Sequence, residues 1–407
     1  MRTQHPTHSH QPTVQLTDFT EDFTADPYSA FAALRSRGPV HHARFPTGDE
    51  SWLVVGHEEV RAAFADPRLR NDVRYSADFE DDGLYAVGRN MLQVDPPDHT
   101  RLRTLVAREF TARRVQALRP RVEEAAGALL DAVAADGRTD LVAAYAYPLP
   151  LTIICELLGV PEADRPAFRA WSTRVVALDD PERSARASQE MGAYLAGLAE
   201  QKRGLREAAE SDLLHALVRA HDADGADRLT PEELLGMAFL LLVAGHETTV
   251  NLIANAVLLL LGHPEQLAAL RADPELTRGA VEEALRLEPP APAGTYRYAA
   301  EPIDLGGARI PAGARVVLSI AAANRDPARF PGPDRFDIRR DPAVTRAHLA
   351  FGHGLHHCLG APLARLEATL ALRILLDRFP DLAFDGDGTP RWRTSLMRSL
   401  RELPVRW

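Results

Sequence analysis

The chain has 407 residues, 45% apolar and 26% charged, with a formal net charge of −10. That composition suits a folded globular protein and argues against a nucleic-acid-binding or polybasic membrane-anchored one. Two cysteines exclude a disulfide scaffold, and Lys202 is the single lysine among 47 basic residues, which reads as compositional bias towards arginine.

Residues 1–20 are polar and read as a loosely attached tail, with no signal-peptide pattern. The apolar runs Ala238–Ala244 and Ala256–Leu261 are too short to span a bilayer, so the expectation is a cytoplasmic protein with no membrane partner. No linker divides residues 21–407, so they read as one domain. Ser51–Gly56 is a short strand, and residues 71–93 form a long polar loop around Glu80–Gly83; long loops in compact domains are often functional. A helix is expected from Thr111, with apolar positions at Val115, Leu118, Val122, Leu129 and Val133, up to Asp136-Gly137. Pro120 marks a kink or break inside it. Cys155 lies in the apolar run Leu151–Leu158 and reads as an inert core thiol.

The strongest helix begins at Thr230-Pro231-Glu232-Glu233, which offers an N-cap threonine, proline at the first helical position and glutamate at the third. It runs to Gly262, ~48 Å at 1.5 Å per residue, and is apolar nearly all round, as a helix crossing a large core must be. A further helix covers Thr277 to Leu287; residues 295–320 read as small strands and turns; a last helix runs from about Cys358 to Phe379.

Four constellations carry chemistry. In Phe351-Gly352-His353-Gly354-Leu355-His356-His357-Cys358-Leu359-Gly360, a cysteine opens an amphipathic helix, where free N–H groups favour a thiolate. Read alone, it is a buried cysteine on a turn, or a zinc site using His353, His356, His357 and Cys358, although adjacent histidines rarely point at one ion. In Ala244-Gly245-His246-Glu247-Thr248-Thr249, small residues leave room for a diatomic ligand, the Thr248 hydroxyl can bond back to the Ala244 carbonyl, and an acid in an apolar helix is costly unless used or paired. His-Glu-x-x-His would need a histidine at Val250, so this is not a zinc-protease helix. Glu283-Ala284-Leu285-Arg286 places an acid and a base on one helix face, and so do His99 and Arg103, four apart.

The ten-residue cysteine stretch resembles the haem-binding loop of cytochromes P450, Phe-x-x-Gly-x-x-x-Cys-x-Gly, at every fixed position. The other three constellations follow in the order that family has them. The resemblance implies a mainly α fold with a small β-sheet part. It implies that Cys358 ligates the iron of haem b, with Phe351 beside the sulfur, Gly360 giving close approach, and His99, Arg103, Arg297 and His356 holding the propionates. Ala244 and Gly245 then flank the oxygen site, Thr248 steadies dioxygen, and Glu247 relays protons. Glu283 and Arg286 form a structural triad with Arg335. Within the chain no Gly-x-Gly-x-x-Gly nucleotide unit occurs. Electrons are therefore expected from NAD(P)H through a reductase and a ferredoxin, docking on some of Arg101, Arg103, Arg108, Arg113 and Arg114. The stretches at 233–255 and 348–368 resemble bacterial macrolide and polyketide hydroxylases, which implies hydroxylation or epoxidation of a large apolar small molecule. Met91, Leu92, Gln93, Val94, Ala244, Leu396 and Met397 are the expected substrate contacts; a neutral Gln93 weakens the case for a cationic sugar, for which Asp78, Glu80, Asp81 and Asp82 are the available acids. Terpenes, steroids and fatty acids are the alternative substrates, and a zinc-binding protein is the alternative of another class.

Overall fold

The computed structural model describes residues 12–79, 88–204, 212–222 and 228–407. Helices dominate, and one of them organizes the rest. Pro231–Gly262 spans 32 residues. Its start is fixed locally: Thr230 accepts from the Glu233 amide while the Glu233 side chain accepts from the Thr230 amide, a reciprocal cap. By length and composition this helix is apolar enough to cross a bilayer, yet 78% of its most apolar window is buried inside the protein. Helices Pro148–Leu158, Thr277–Leu287 and Ala361–Arg378 pack against it.

Two apolar clusters flank this helix. One joins its C-terminal half (Leu252–Leu261) to Arg119–Val133, Thr277–Leu287 and Ala361–Arg378. The other joins its N-terminal half (Leu234–Val250) to Pro148–Leu158, Pro181–Gly204 and Leu213–Asp222. A six-stranded mixed sheet lies apart from both, with Glu50–Val54 parallel to Arg315–Leu318 at its centre. Arg297–Ala299 pairs antiparallel to both Arg315–Leu318 and Leu69–Arg70, so Arg297 lies on a strand flanked on both sides.

Three expectations are adjusted. Pro120 breaks the expected helix: Ala112–Ala117 ends at Leu118, and Arg119–Val133 starts anew with the proline in its first turn, where its missing N–H costs nothing. The last helix is Ala361–Arg378, so Cys358 stands three residues before it. The tail is shorter than expected. Val14–Gln15 pairs with Ala43–Arg44, and Leu16 is fully buried, because a sheet edge and an apolar pocket tie this segment down. Residues 1–11 lie outside the described residues.

Candidate functional site

Cys358 follows a one-turn helix at Gly354–His356. Gly352 and Gly354 have φ of +70° and +74°, and a side chain at Gly354 would stand 2.9 Å from the Phe64 carbonyl oxygen. The loop is thus pressed onto the helix His57–Ala65. The Cys358 amide donates to the Phe351 carbonyl at 2.8 Å, and its sulfur accepts from the amides of Gly360 and Ala361. Those amides, with the charges of Arg103 and Arg365, favour the thiolate, and Cys358, which one reading of the sequence had as a buried cysteine, is exposed.

Around this loop basic and imidazole groups converge, with Asp95 an acid near enough to act on His99 and Arg297. His99 is 2% exposed, and neither of its ring nitrogens has a partner. The His356 ring lies 4.2 Å from it, and His356 Nδ1 is likewise buried and unpartnered. Arg297, also 2% exposed, donates to Thr295 Oγ1 at 2.6 Å, and burial lowers its guanidinium to about 10. Arg103 donates to the His357 carbonyl at 2.7 Å. Burial, together with Arg297, His99 and Arg103, holds His356 down at about 3. Buried polar groups in folded proteins are nearly always satisfied. This cluster has the chemistry to accept carboxylates, as the four residues expected to bind haem propionates require.

On the long helix, Ala244 is exposed although Leu240 to Val243 before it are buried, and Thr248 one turn on is half-buried. Leu359, next to Cys358, packs in the same apolar cluster as Leu240, Leu241 and Val243. The Thr248 hydroxyl donates to the Ala244 carbonyl at 3.0 Å, the back-bond expected of it. Gly245 has a different reason from the one expected. A side chain there would meet Ile154 Cδ1 at 2.7 Å, so its smallness serves close packing on Pro148–Leu158. Glu247 is 4% exposed and fully engaged: it accepts from Tyr147 Oη at 2.8 Å, and His246 Nε2 lies 3.4 Å away.

The Glu283–Arg286 pair is fully buried and bidentate, at 2.8 and 2.7 Å. The third guanidinium belongs to Arg340 and not to Arg335. Arg340 Nε donates to Glu283 Oε1 at 3.0 Å, whereas the Arg335 side chain is 72% exposed and pairs with Asp337. Arg335 supplies only its carbonyl, to Arg286 and Arg340. The turn at Gly332, with φ +58°, accepts the Arg335 amide on its carbonyl, and the Arg340 guanidinium donates to the Pro331 and Gly332 carbonyls.

The expected substrate contacts divide. Met91 and Val94 are buried, Leu92 is half-buried with its carbonyl accepting from Asn71, and Gln93 Oε1 is buried without a partner. Leu396 is 48% exposed and its amide donates to the Val176 carbonyl at 3.0 Å; Met397 is half-buried. Asp78 is exposed, and Glu80, Asp81 and Asp82 lie outside the described residues. Among the described residues no three His, Cys, Asp or Glu side chains converge as metal ligands, so His353, His356, His357 and Cys358 are not brought together for zinc. Of the five arginines considered for docking, Arg101 is tied to Glu233, Arg103 reaches the cysteine loop, and Arg108, Arg113 and Arg114 are exposed.

Sequence reasoning missed a second charged cluster, with His348 buried within it. Glu282 binds His348 at 3.0 Å and Arg365 at 2.5 Å, and the Arg365 guanidinium lies 4.4 Å over the Phe351 ring. The Glu-Glu doublet at 282–283 was the available signal: one acid faces each cluster.

The chain is similar over its length to known proteins. A family model described as cytochrome P450 matches residues 174–396. Cytochrome P450 monooxygenase PikC of Streptomyces venezuelae is 56% identical, covering 100% of this chain and 97% of that protein. The 6-deoxyerythronolide B hydroxylase of Saccharopolyspora erythraea is 44% identical over 95% of this chain and 97% of its own length. The solved structure of the tirandamycin C-bound P450 monooxygenase TamI superposes with a TM-score of 0.88 at 44% identity, covering 97% of this chain and 99% of that one.

Proposed function

The chain belongs to the cytochrome P450 family and is a monooxygenase of it, and on that premise we propose that it hydroxylates or epoxidises a macrolide or related polyketide. The observation that carries the reading is the group of basic side chains beside Cys358: His99 and His356, with buried ring nitrogens that have no partner, and the buried Arg297, which forms no ion pair among the described residues. The family uses haem iron; the group proposed here is haem b, whose iron Cys358 would hold and whose propionates His99, Arg103, Arg297 and His356 would hold. When bound, a thiolate-ligated haem supplies the reductive activation of O2. The chain's own residues do the rest. Ala244 leaves the helix face open, and Thr248, held by its bond to Ala244, keeps two lone pairs free to accept from water or a protonated acid. Glu247 beside it is the acid that handles protons. Glu283, Arg286 and Arg340 hold the turn that precedes the cysteine loop.

The macrolide assignment rests on the relatives' activities and on the apolar character of Met91, Leu92, Val94, Ala244, Leu396 and Met397. Gln93, with an unpartnered oxygen, would accept a substrate hydroxyl. Electrons would come from NAD(P)H through a ferredoxin reductase and an acidic ferredoxin in the cytoplasm, with Arg108, Arg113 and Arg114 as the docking charges, so turnover should fall as salt screens them at ~8–10 Å.

Two measurements test the reading. The reduced carbon monoxide complex should absorb at the long Soret wavelength of thiolate haem, and Cys358→His should abolish that band; its survival would refute the ligand assignment. In spin-shift titrations, 6-deoxyerythronolide B, tirandamycin C or another polyketide should bind more tightly than fatty acids, terpenes or steroids. A response to one of the latter alone would overturn the substrate class.

A further inference from the structure

Asn71 follows the strand Leu69–Arg70, whose antiparallel register sets Arg70 against Tyr298 of Arg297–Ala299. One step further along that register, Asn71 stands level with Arg297. Asn71 is 7% exposed and uses both hydrogens of its side-chain amide: Nδ2 donates to the Leu92 carbonyl at 2.9 Å and to Thr295 Oγ1 at 2.9 Å. Thr295 Oγ1 also accepts from Arg297 Nη1 at 2.6 Å. An unbroken line of hydrogen bonds therefore runs from Leu92 through Asn71 and Thr295 to Arg297.

Both ends of the line are singly held. Among the described residues, residues 91–94 make one hydrogen bond outside their own turn, the one from Asn71; the amides of Leu92 and Gln93 bond to Asn90. The Asp95 carboxylate fixes the next residue by accepting from the amides of Asn71 and Asp72 at 3.1 and 3.2 Å. At the other end, Thr295 supplies the only acceptors that the Arg297 side chain reaches among the described residues, and the guanidinium lies 5.7 Å from the centroid of the Phe64 ring. Satisfying a buried carbonyl needs one donor. It does not require that donor's second hydrogen to land on an oxygen shared with an arginine 205 positions further along, so the sharing calls for another reason.

We propose that Asn71 and Thr295 are positioning residues that couple occupancy of the substrate space at Leu92 to the placement of the Arg297 charge, and so to the reduction potential of the bound haem. This rests on the reading that Met91–Val94 faces substrate and that Arg297 holds a propionate. A ligand pressed on Leu92 displaces its carbonyl. The Asn71 amide follows, because a hydrogen bond weakens steeply when it is bent, and Thr295 Oγ1 passes the shift to the guanidinium. Arg297 is 2% exposed, and a charge moved in a poorly screened interior changes the local potential far more than one moved in water. By thermodynamic reciprocity, whatever the ligand does to electron affinity the electron does to ligand affinity. This coupling is separate from any effect of the ligand at the iron itself.

The experiment titrates the haem-loaded enzyme with 6-deoxyerythronolide B, tirandamycin C and myristic acid, and measures its reduction potential with and without each probe. The ligand-induced change gives the ratio of ferric to ferrous dissociation constants, tenfold for each ~59 mV of a one-electron couple. Coupling between sites is typically roughly 5–150-fold. Thr295→Val, which keeps the shape and removes the shared oxygen, and Asn71→Ala should each cut the ratio by roughly threefold or more. The double variant should cut it no further, since both changes break one line, and Thr295→Ser should keep the parent ratio. The high-spin fraction of ligand-bound ferric Thr295→Val should match the parent. An unchanged ratio in both single variants overturns the proposal, as do losses that add in the double variant or a Thr295→Ser that behaves like Thr295→Val. A fall in Thr295→Val matched by a fall in high-spin fraction also overturns it, because the effect then runs through the ligand's seat at the iron. If one of Asn71→Ala and Thr295→Val binds no haem, the other decides; if neither does, the line is structural and the proposal fails. Should myristic acid alone change the parent's potential, the polyketide reading has failed, and the same comparison with myristic acid decides the coupling. If no probe changes the parent's potential, there is nothing to transmit and the proposal fails.

Discussion

At the scale of single residues, the contrast between Arg335 and Arg340 is the sharpest. Glu283 is fully buried and receives guanidinium groups from Arg286 and Arg340, while Arg335 faces solvent. An exposed pair contributes little, and removing one member of a buried charged network costs ~3–5 kcal/mol. Arg340→Ala should therefore lower stability by about that amount and reduce haem-loaded yield, and Arg335→Ala should change denaturation by less than about 1 kcal/mol. Equal effects would return Arg335 to the triad. Glu282 offers a pH test. Burial raises its carboxyl, but bonds from His348 and Arg365 more than reverse this and hold it at about 2, against an ordinary value of 4.5. A depressed carboxyl contributes stability that is fully present above the unfolded value and is lost as pH falls through the folded one. Glu282→Gln should therefore weaken the fold at neutral pH by on the order of 3 kcal/mol and flatten the loss of stability between pH 4.5 and 2, read from denaturant midpoints across that range. A parallel pair of curves would show that the cluster has no such linkage.

At the scale of elements, the long helix and the segment preceding His99 touch backbone to backbone. A side chain at Gly236 would stand 2.3 Å from the Arg89 carbonyl oxygen, and one at Gly88, whose φ is +90°, 2.0 Å from the Glu232 carbonyl oxygen. Backbone atoms cannot rotate away, so the segment itself must move. Gly236→Ala should displace residues 88–94, including Met91 and Gln93, and weaken ligand binding about tenfold in spin-shift titration while leaving the thiolate-type carbon monoxide band intact. Unchanged affinity would mean that this segment does not shape the substrate space. The same close approach explains why the glycine interrupts an otherwise bulky apolar face.

Across the whole molecule, Glu288 ties the two ends of the chain to its middle. It accepts from Arg325 at 3.1 Å, Arg398 at 2.9 Å and the Tyr28 hydroxyl at 2.7 Å. Arg398 also donates to the Ala25 carbonyl at 2.9 Å and lies 3.5 Å over the Trp392 ring. The loop carrying Leu396 and Met397 is thereby anchored from its next residue to the N-terminal segment. Glu288→Ala would leave the buried Arg398 guanidinium without an anion and Arg325 with Asp334 alone, and should cost ~3–5 kcal/mol in chemical denaturation. A loss below about 1 kcal/mol would show that water takes over the role of the carboxylate.

What was readable from sequence was what depends on neighbours along the chain. The Thr230–Glu233 cap, the Thr248 back-bond to Ala244 and the Glu283–Arg286 pair each lie within four residues, so helical geometry alone dictates them. The cysteine loop was legible because its glycines and its cysteine stand at fixed, short spacing along the chain. Partners distant in sequence were not. Tyr147 lies 100 positions before Glu247, and no periodicity joins them. Gly245 reads as room for a ligand until Ile154 is seen against it, and either of two nearby arginines could have completed the Glu283 cluster. The sequence by itself determined the long helix, its cap and the close side-chain pairs along helices, because local hydrogen bonds and residue type suffice for those. Only the tertiary structure decided which buried charges meet, because desolvation compels each one to find a partner wherever packing brings it.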